Sequence, residues 1–389
     1  MKGLHQPIIS SERILERIFS RADVCLQQGL GDSAEKANDQ RPWDIRVRDR
    51  RFFRKVLLGG SIGFGESYMD GWWCCVDVEE LLYRLIRSNI ERASGFVVSA
   101  LALKAAALLM NRQTRRGAKQ VAERHYNLDT ELFGFLGKYM SYSCGYFKGT
   151  DDLDRAQEQK MDLICRKLNL TRGERVADIG GGWGEFARHA ADYYGCHVTS
   201  INIADKQLAF ARDYCKGHSV DIIKCDYRDL EGTYDKIAAI AMIAHVGYKN
   251  YRAFMEKLYC HLEPEGIVLI EPVGRNTAST HGDPWASKYI FPRGMVPALS
   301  QLARAMEGLF VLEDLHNFGP HYIKTLRAWR RNFEAIWPKV ASRYNERTRR
   351  MFDYFFQMSA AAFRARSIQY WHLVLTKPGA PQPLFRRAD

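Results

Sequence analysis

The chain has 389 residues, 46% hydrophobic and 12% aromatic, enough apolar surface to bury a sizeable core and to exclude disorder as its main state. Lys and Arg outnumber Asp and Glu by 57 to 45, and the net charge of +12 favours a polyanionic partner, nucleic acid or anionic membrane. No window approaches the roughly 20 apolar residues of a spanning helix.

The N-terminal MKGLHQPIISSERILERIFS lacks the apolar run and cleavage site of a signal peptide. The nine cysteines include no CxxC pair and read as reduced thiols. A cytoplasmic protein, free or bound peripherally to a membrane, is expected.

Residues 1–118 are expected to form a smaller, mainly helical domain and residues 119–389 a second domain. SSERILERIF carries apolar residues at helical spacing behind a Ser cap. The stretch RPWDIRVRDRRFFRKVLLGG concentrates Arg46, Arg48, Arg50, Arg51, Arg54 and Lys55, suited to an anionic surface or to a solvated face paired with Asp44, Asp49 and Glu66. GSIGFGESYMDGWW follows, with glycines suited to turns and aromatics expected to be exposed. The run Phe96–Met110 is too short to span a bilayer and reads as a buried helix or one lying on lipid. The polar, basic residues 111–120 place the domain boundary.

Beyond it, strands alternate with helices: RVADIG, GEFARHAADYYG, HVTSINI, ADKQLAFARDYC, VDIIKC, KIAAIAMIA and GIVLIEPVG. That alternation predicts an α/β fold, a parallel sheet with helices on both faces. Residues 275–305 read as an insertion, followed by helices near 322–336 and 345–363 and a last strand IQYWHLVLT.

Between the first strand and helix of the series lies Asp178-Ile179-Gly180-Gly181-Gly182-Trp183-Gly184. Glycines there allow positive φ and close backbone approach to a ligand at a helix N-terminus. The spacing is G-x-G-x-G rather than the dinucleotide G-x-G-x-x-G, which suits a ligand without pyrophosphate. The turn resembles the S-adenosylmethionine loop of Rossmann-like class I methyltransferases, with Asp178 before it and Asp226 after the third strand, where that family contacts adenine. After the fourth strand, Ala241-Met242-Ile243-Ala244-His245 offers little to orient a target amine. That weakens nucleic acid as a partner and points to an apolar acceptor.

Ordered segments along nearly the whole chain resemble the cyclopropane-fatty-acyl-phospholipid synthase family: GESYMDGWW, HYNLDTELF, YMSYSCGYF, QEQKMDLICRKL, DIGGGWG, CDYRDL, HVGYKNY, YIFPRG and FRARSIQYW. The resemblance implies methyl transfer from S-adenosylmethionine to a cis double bond of a membrane phospholipid acyl chain, then proton loss that closes a three-membered ring. It brings a homodimer into consideration.

It places Tyr142, Ser143, Gly180 and Gly182 against the cofactor, Asn202, Ile203 and Gln207 near its ribose, and Tyr227 beside adenine. Ile203 as core, Asn202 as a helix-entry cap and Tyr227 as a surface aromatic stay open as alternatives. A dry aromatic pocket would stabilise positive charge on carbon without adding to it, and Tyr142, Tyr146, Phe147, Tyr289, Phe291 and Tyr322 are its candidates.

In the family the base is a bicarbonate. Cys144, Tyr322 and the backbone of Val273 match its ligands, whereas Ala244 stands where the family has Glu before His245, and Glu271 where it has His. Two ligands are thus replaced, and bicarbonate is doubtful as a cofactor. Glu271 is expected to be the proton acceptor itself, with Cys144 and Tyr322 orienting it. The alternative is an ion pair with His245 or Arg275. Proton loss from the neighbouring carbon would instead leave a methyl-branched unsaturated chain.

Overall fold

The computed structural model describes residues 10–29, 41–89, 130–292 and 294–384. The run Phe96–Met110, the basic linker and the boundary at 118/119 lie outside the described residues. Helix α1 (Ser11–Ser20) is capped by Ser10, whose side chain accepts from the Arg13 amide. A small three-stranded sheet accompanies it: β1 (Leu26–Gln28), β2 (Ile45–Val47) and β3 (Trp73–Cys74).

Helix α2 (Arg51–Met69) runs through the segment expected to turn, and kinks at Gly60, whose φ is 53°. Its later glycines serve packing. A Cβ on Gly65 would stand 2.4 Å from the Trp285 ring. The expected surface aromatics are core instead: Phe64 stacks on Trp73 at 4.6 Å and Tyr68 packs on both Trp73 and Tyr354. Apolar rings gain more from mutual burial than from water. Helix α3 (Val78–Arg87) completes this part behind the Asp77 cap.

The central sheet has the order β10-β11-β8-β7-β4-β5-β6. Its strands are β4 (Arg175–Ile179), β5 (His197–Asn202), β6 (Val220–Lys224), β7 (Tyr234–Ile240), β8 (Leu262–Glu271), β10 (Val311–Asn317) and β11 (Ile368–Thr376). The first five are parallel, β10 and β11 antiparallel, and short β9 (Val273–Arg275) pairs β11. The expected sheet and helices are present. β10 was not expected: its VLEDLHN pattern is polar, and a register shift between Leu312 and Asp314 interrupts its alternation.

Helices α4 (Leu153–Lys167), α5 (Glu185–Tyr194), α6 (Asp205–Tyr214) and α7 (Tyr251–His261) cover the sheet. The described residues of the 275–305 stretch carry α8 (Pro284–Tyr289) and α9 (Leu299–Met306) and line one side of the cavity. Two long helices, α10 (Gly319–Val340) and α11 (Glu346–Arg364), stand over the C-terminal strand ends. Residues from α1 to α3 share one hydrophobic cluster with α10 and α11. Polar clamps reinforce it: Tyr68 donates to Asp353 at 2.5 Å, Ser61 to Asp283 at 2.6 Å, and Glu79 receives Arg327 and Arg364.

Candidate active site

The sequence order of strands reverses between β4 and β7, and a crevice opens there outside their C-terminal ends. The N-terminal helices and α11 roof it into a cavity of about 1150 Å³. The glycine turn forms one end. Gly180 and Gly182 take φ of 82° and 53°, and a Cβ on Gly181 would strike the Ser200 hydroxyl at 1.8 Å, so only glycine fits this path.

Asp178 is buried and accepts from Ser200 at 3.0 Å. Burial, with the Glu185 charge, raises its pKa to about 7. Asn202 ties the next strand end to the turn, donating to the Gly182 carbonyl (3.2 Å) and to Gln207 (2.9 Å) and accepting from the Ile203 and Ala204 amides. It therefore acts as a local staple rather than as the cap of the next helix, whose N-cap is Ala204 with no side-chain bond, while still lining the cavity with Ile203 and Gln207. Asp226 also lines it, but its carboxylate is held bidentately by Arg228 at 2.7 and 2.8 Å. Tyr227 lines the same end, its ring edge-on to Phe254.

Of the six aromatic candidates, Tyr142, Phe291 and Tyr322 line the cavity. Tyr142 sits among Phe133, Phe135, Phe291 and Trp329. The other three are engaged elsewhere: Tyr289 donates to Glu66, Tyr146 packs on His321, and the Phe147 ring lies beneath the Lys324 ammonium. His245 lines the cavity beside Phe291, and burial drives its pKa down to about 4, so it is a neutral imidazole.

Ser143 lines the cavity too, and its hydroxyl accepts from Lys160 at 3.0 Å. Lys160, on α4, is a residue that motif reasoning missed. It is fully buried and also donates to Ser141 at 2.8 Å. Its charge opposes the raised pKa values of Asp178, Glu185 and Glu271. A lysine flanked by Gln and Met on a helix gives no sequence sign of such a role.

Glu271 ends β8 fully buried, behind the cavity wall rather than lining it. Its Oε1 lies 3.1 Å from His372 Nε2, a partner that the sequence did not suggest in place of His245 or Arg275. Burial raises the Glu271 pKa to about 7 against the pull of Lys160, the Tyr370 hydroxyl and Lys167. Burial and the two lysines push His372 well below its ordinary value, so it is neutral.

Cys144 is buried nearby, and burial together with Glu271 raises its thiol pKa. Its Sγ donates to the Gly145 carbonyl at 3.3 Å, and its amide to the Tyr370 hydroxyl at 3.4 Å. Tyr370 packs at 4.8 Å on Tyr322. Cys144, Glu271 and Tyr322 are thus gathered around Tyr370, with His372 rather than Cys144 or Tyr322 holding the carboxylate. Val273 and Ala244 line the cavity on this side.

The mycolic acid cyclopropane synthetase family profile matches residues 112–373. The chain is 40% identical over 366 residues to cyclopropane-fatty-acyl-phospholipid synthase of Escherichia coli, covering 94% of this chain and 93% of that protein. The chain belongs to the mycolic acid cyclopropane synthetase family. It is 31% identical to the tuberculostearic acid methyltransferase UfaA1 of Mycobacterium tuberculosis over 95% of this chain and 92% of that one. The mycolic acid cyclopropane synthase CmaA1, solved with SAH and CTAB, superposes with a TM-score of 0.63 at 23% identity, over 67% of this chain and 98% of that one.

The chain is an S-adenosylmethionine-dependent methyltransferase of the Rossmann-like class I fold. The site suits a cationic cofactor: a glycine cradle without room for a Cβ, flanked by the carboxyl groups of Asp178 and Glu185. Family membership also explains the extended aromatic cavity. No described helix is long and apolar enough to cross a membrane.

Proposed function

We propose that the protein methylates the cis double bond of an unsaturated phospholipid acyl chain and closes a cyclopropane ring. Likeness over 94% of the chain to a cyclopropane-fatty-acyl-phospholipid synthase carries this reading. The cavity supports it, since Phe19, Val56, Phe64, Leu82, Leu85 and Met358 give it an apolar extension suited to hydrocarbon.

S-adenosylmethionine, when bound, supplies the electrophilic methyl carbon. Asp178, Gln207 and the glycine turn orient it, and Lys160 and Gln157 pin the 141–144 loop, Gln157 donating to the Ser143 carbonyl at 3.0 Å. Tyr142, Phe291 and Tyr322 exclude water from the alkene and face the charge that develops on carbon. His245, being neutral, adds no repulsion.

The proton leaves the transferred carbon, its C–H electron pair closes the ring, and the Glu271 carboxylate becomes a carboxylic acid. Tyr370 interacts with Glu271 and packs on Tyr322, which lines the cavity, and the proton passes on that side. Ala244 leaves the volume that a family Glu would fill. A carboxylate beside the anion site disfavours bicarbonate through like-charge repulsion.

Peripheral docking on an anionic surface belongs to the same proposal. Arg50 and Arg51 are already paired with Glu12 and Asp49, whereas exposed Arg48 and Arg54 have no side-chain ion pair among the described residues.

Labelled cofactor and dioleoyl-phosphatidylglycerol vesicles test the function. Label in an acyl chain that resists ozone is expected, and absence of label from lipid would reject it. A methyl-branched alkene is the second reading, favoured by the turn of Glu271 toward His372. It has the same mass as the ring but is cleaved by ozone.

A further inference from the structure

We infer that Arg275 and Arg366 form a subsite for the phosphodiester of the lipid substrate, an assignment that rests on the acyl-chain reading above. Charge is divided along the cavity. Asp178 and Glu185 belong to the β4–β6 side, where a cationic cofactor fits, and Asp226 there is already paired with Arg228. Arg275 ends β9 and Arg366 precedes β11, on the other side of β7. Strand spacing alone puts β4 and β8 about 10 Å apart. The residues between the two sides are largely apolar, so the cavity presents acid, hydrocarbon wall and base in succession.

Both arginines line the cavity, and neither has a carboxylate partner among the described residues. Their backbones are fixed. Arg275 donates its amide to the Pro297 carbonyl at 2.9 Å and stands opposite Ile368 in the β9–β11 register. Arg366 is held at φ 57°, a left-handed conformation unfavourable for a side-chain-bearing residue. Its carbonyl accepts from Asn276 at 2.7 Å and Gln369 at 2.9 Å. Thus two side-chain amides hold the backbone of a strained arginine at the cavity wall.

The one acid of the lining near them, Asp283, is turned away. It accepts from the Ser61 hydroxyl at 2.6 Å and from the Ala286 amide at 2.8 Å. Two guanidinium groups without acid partners offer planar, multidentate donors, which match phosphate oxygens.

Full-length wild type, Arg275→Gln/Arg366→Gln and Arg275→Lys/Arg366→Lys are compared in neutral detergent micelles on dioleoyl-phosphatidylglycerol and on uncharged dioleoylglycerol. The readout is the ratio of kcat/KM for phospholipid over diacylglycerol. It should fall roughly tenfold or more in the Gln pair, from loss of charge-assisted hydrogen bonds, and less in the Lys pair. S-adenosylhomocysteine affinity close to wild type checks that the variants are folded.

An unchanged ratio with an active wild type overturns the subsite alone. A wild type inactive on both lipids overturns the function and the subsite together. Inorganic phosphate should not inhibit. Competitive inhibition that vanishes in the Gln pair would assign the pocket to free phosphate and overturn the headgroup assignment.

Discussion

Glu271→Gln should change stability and activity in opposite directions. Glu271 is fully buried, and its pKa stands at about 7 against an ordinary 4.5. A carboxyl with a raised folded-state pKa binds its proton more tightly in the folded chain than in the unfolded one. Its cost to stability is therefore absent below about pH 4.5, grows as pH rises toward 7 and is complete above, where it amounts to about 3 kcal/mol. The amide has no such charge and keeps much of the shape.

Urea unfolding at pH 8 should find Glu271→Gln more stable than wild type by up to about 3 kcal/mol. At pH 4 the difference should largely vanish. Ring formation should drop by about 10²–10⁴-fold, the usual cost of losing a positioned base. In wild type, the rate should rise through a midpoint near pH 7 as Glu271 loses its proton. Added bicarbonate should leave the wild-type rate unchanged. A variant that still forms the ring at full rate, or one less stable at pH 8 than wild type, would refute the assignment.

Lys160→Met removes the cation between the 141–144 loop and three buried acids, and should cost about 3–5 kcal/mol in urea unfolding. If enough folds to assay, the acid limb of its pH–rate profile should move to higher pH, with Lys160→Arg retaining the wild-type midpoint. An unmoved limb would make Lys160 purely structural. Lys167 pairs with Asp314 at 2.7 Å, both buried, so Lys167→Met should cost about 3–5 kcal/mol and the Lys167→Met/Asp314→Leu pair should recover most of it, read by urea midpoint. Gly65→Ala forces a Cβ against Trp285 and should cost about 1–3 kcal/mol, seen as a lower Tm. Binding to anionic vesicles should weaken with salt and by about 1 kcal/mol for each charge removed at Arg48 and Arg54, in a sedimentation assay.

The alternation of apolar strands and amphipathic helices from residue 174 to 274 was sufficient to read the sheet, because each element there obeys its own local period. The glycine turn was equally legible, since its backbone path excludes any other residue. Ordered motifs pointed to Tyr142, Ser143, Cys144, His245 and Tyr322, and all but the buried Cys144 line the cavity.

Local pattern failed where long-range contacts decide. GSIGFGESYMDGWW reads as turns, yet Gly65 is small because Trp285, 220 positions away, needs its space. The polar β10 is a strand because it pairs with β11, and Asp314 is tolerated inside it because it finds Lys167. The partners of Glu271 are likewise tertiary. His372 lies on a neighbouring antiparallel strand and Lys160 on a helix, and neither spacing reveals the contact. A buried charge takes its pKa from whatever the fold packs around it, and that environment is assembled from residues far apart in the chain.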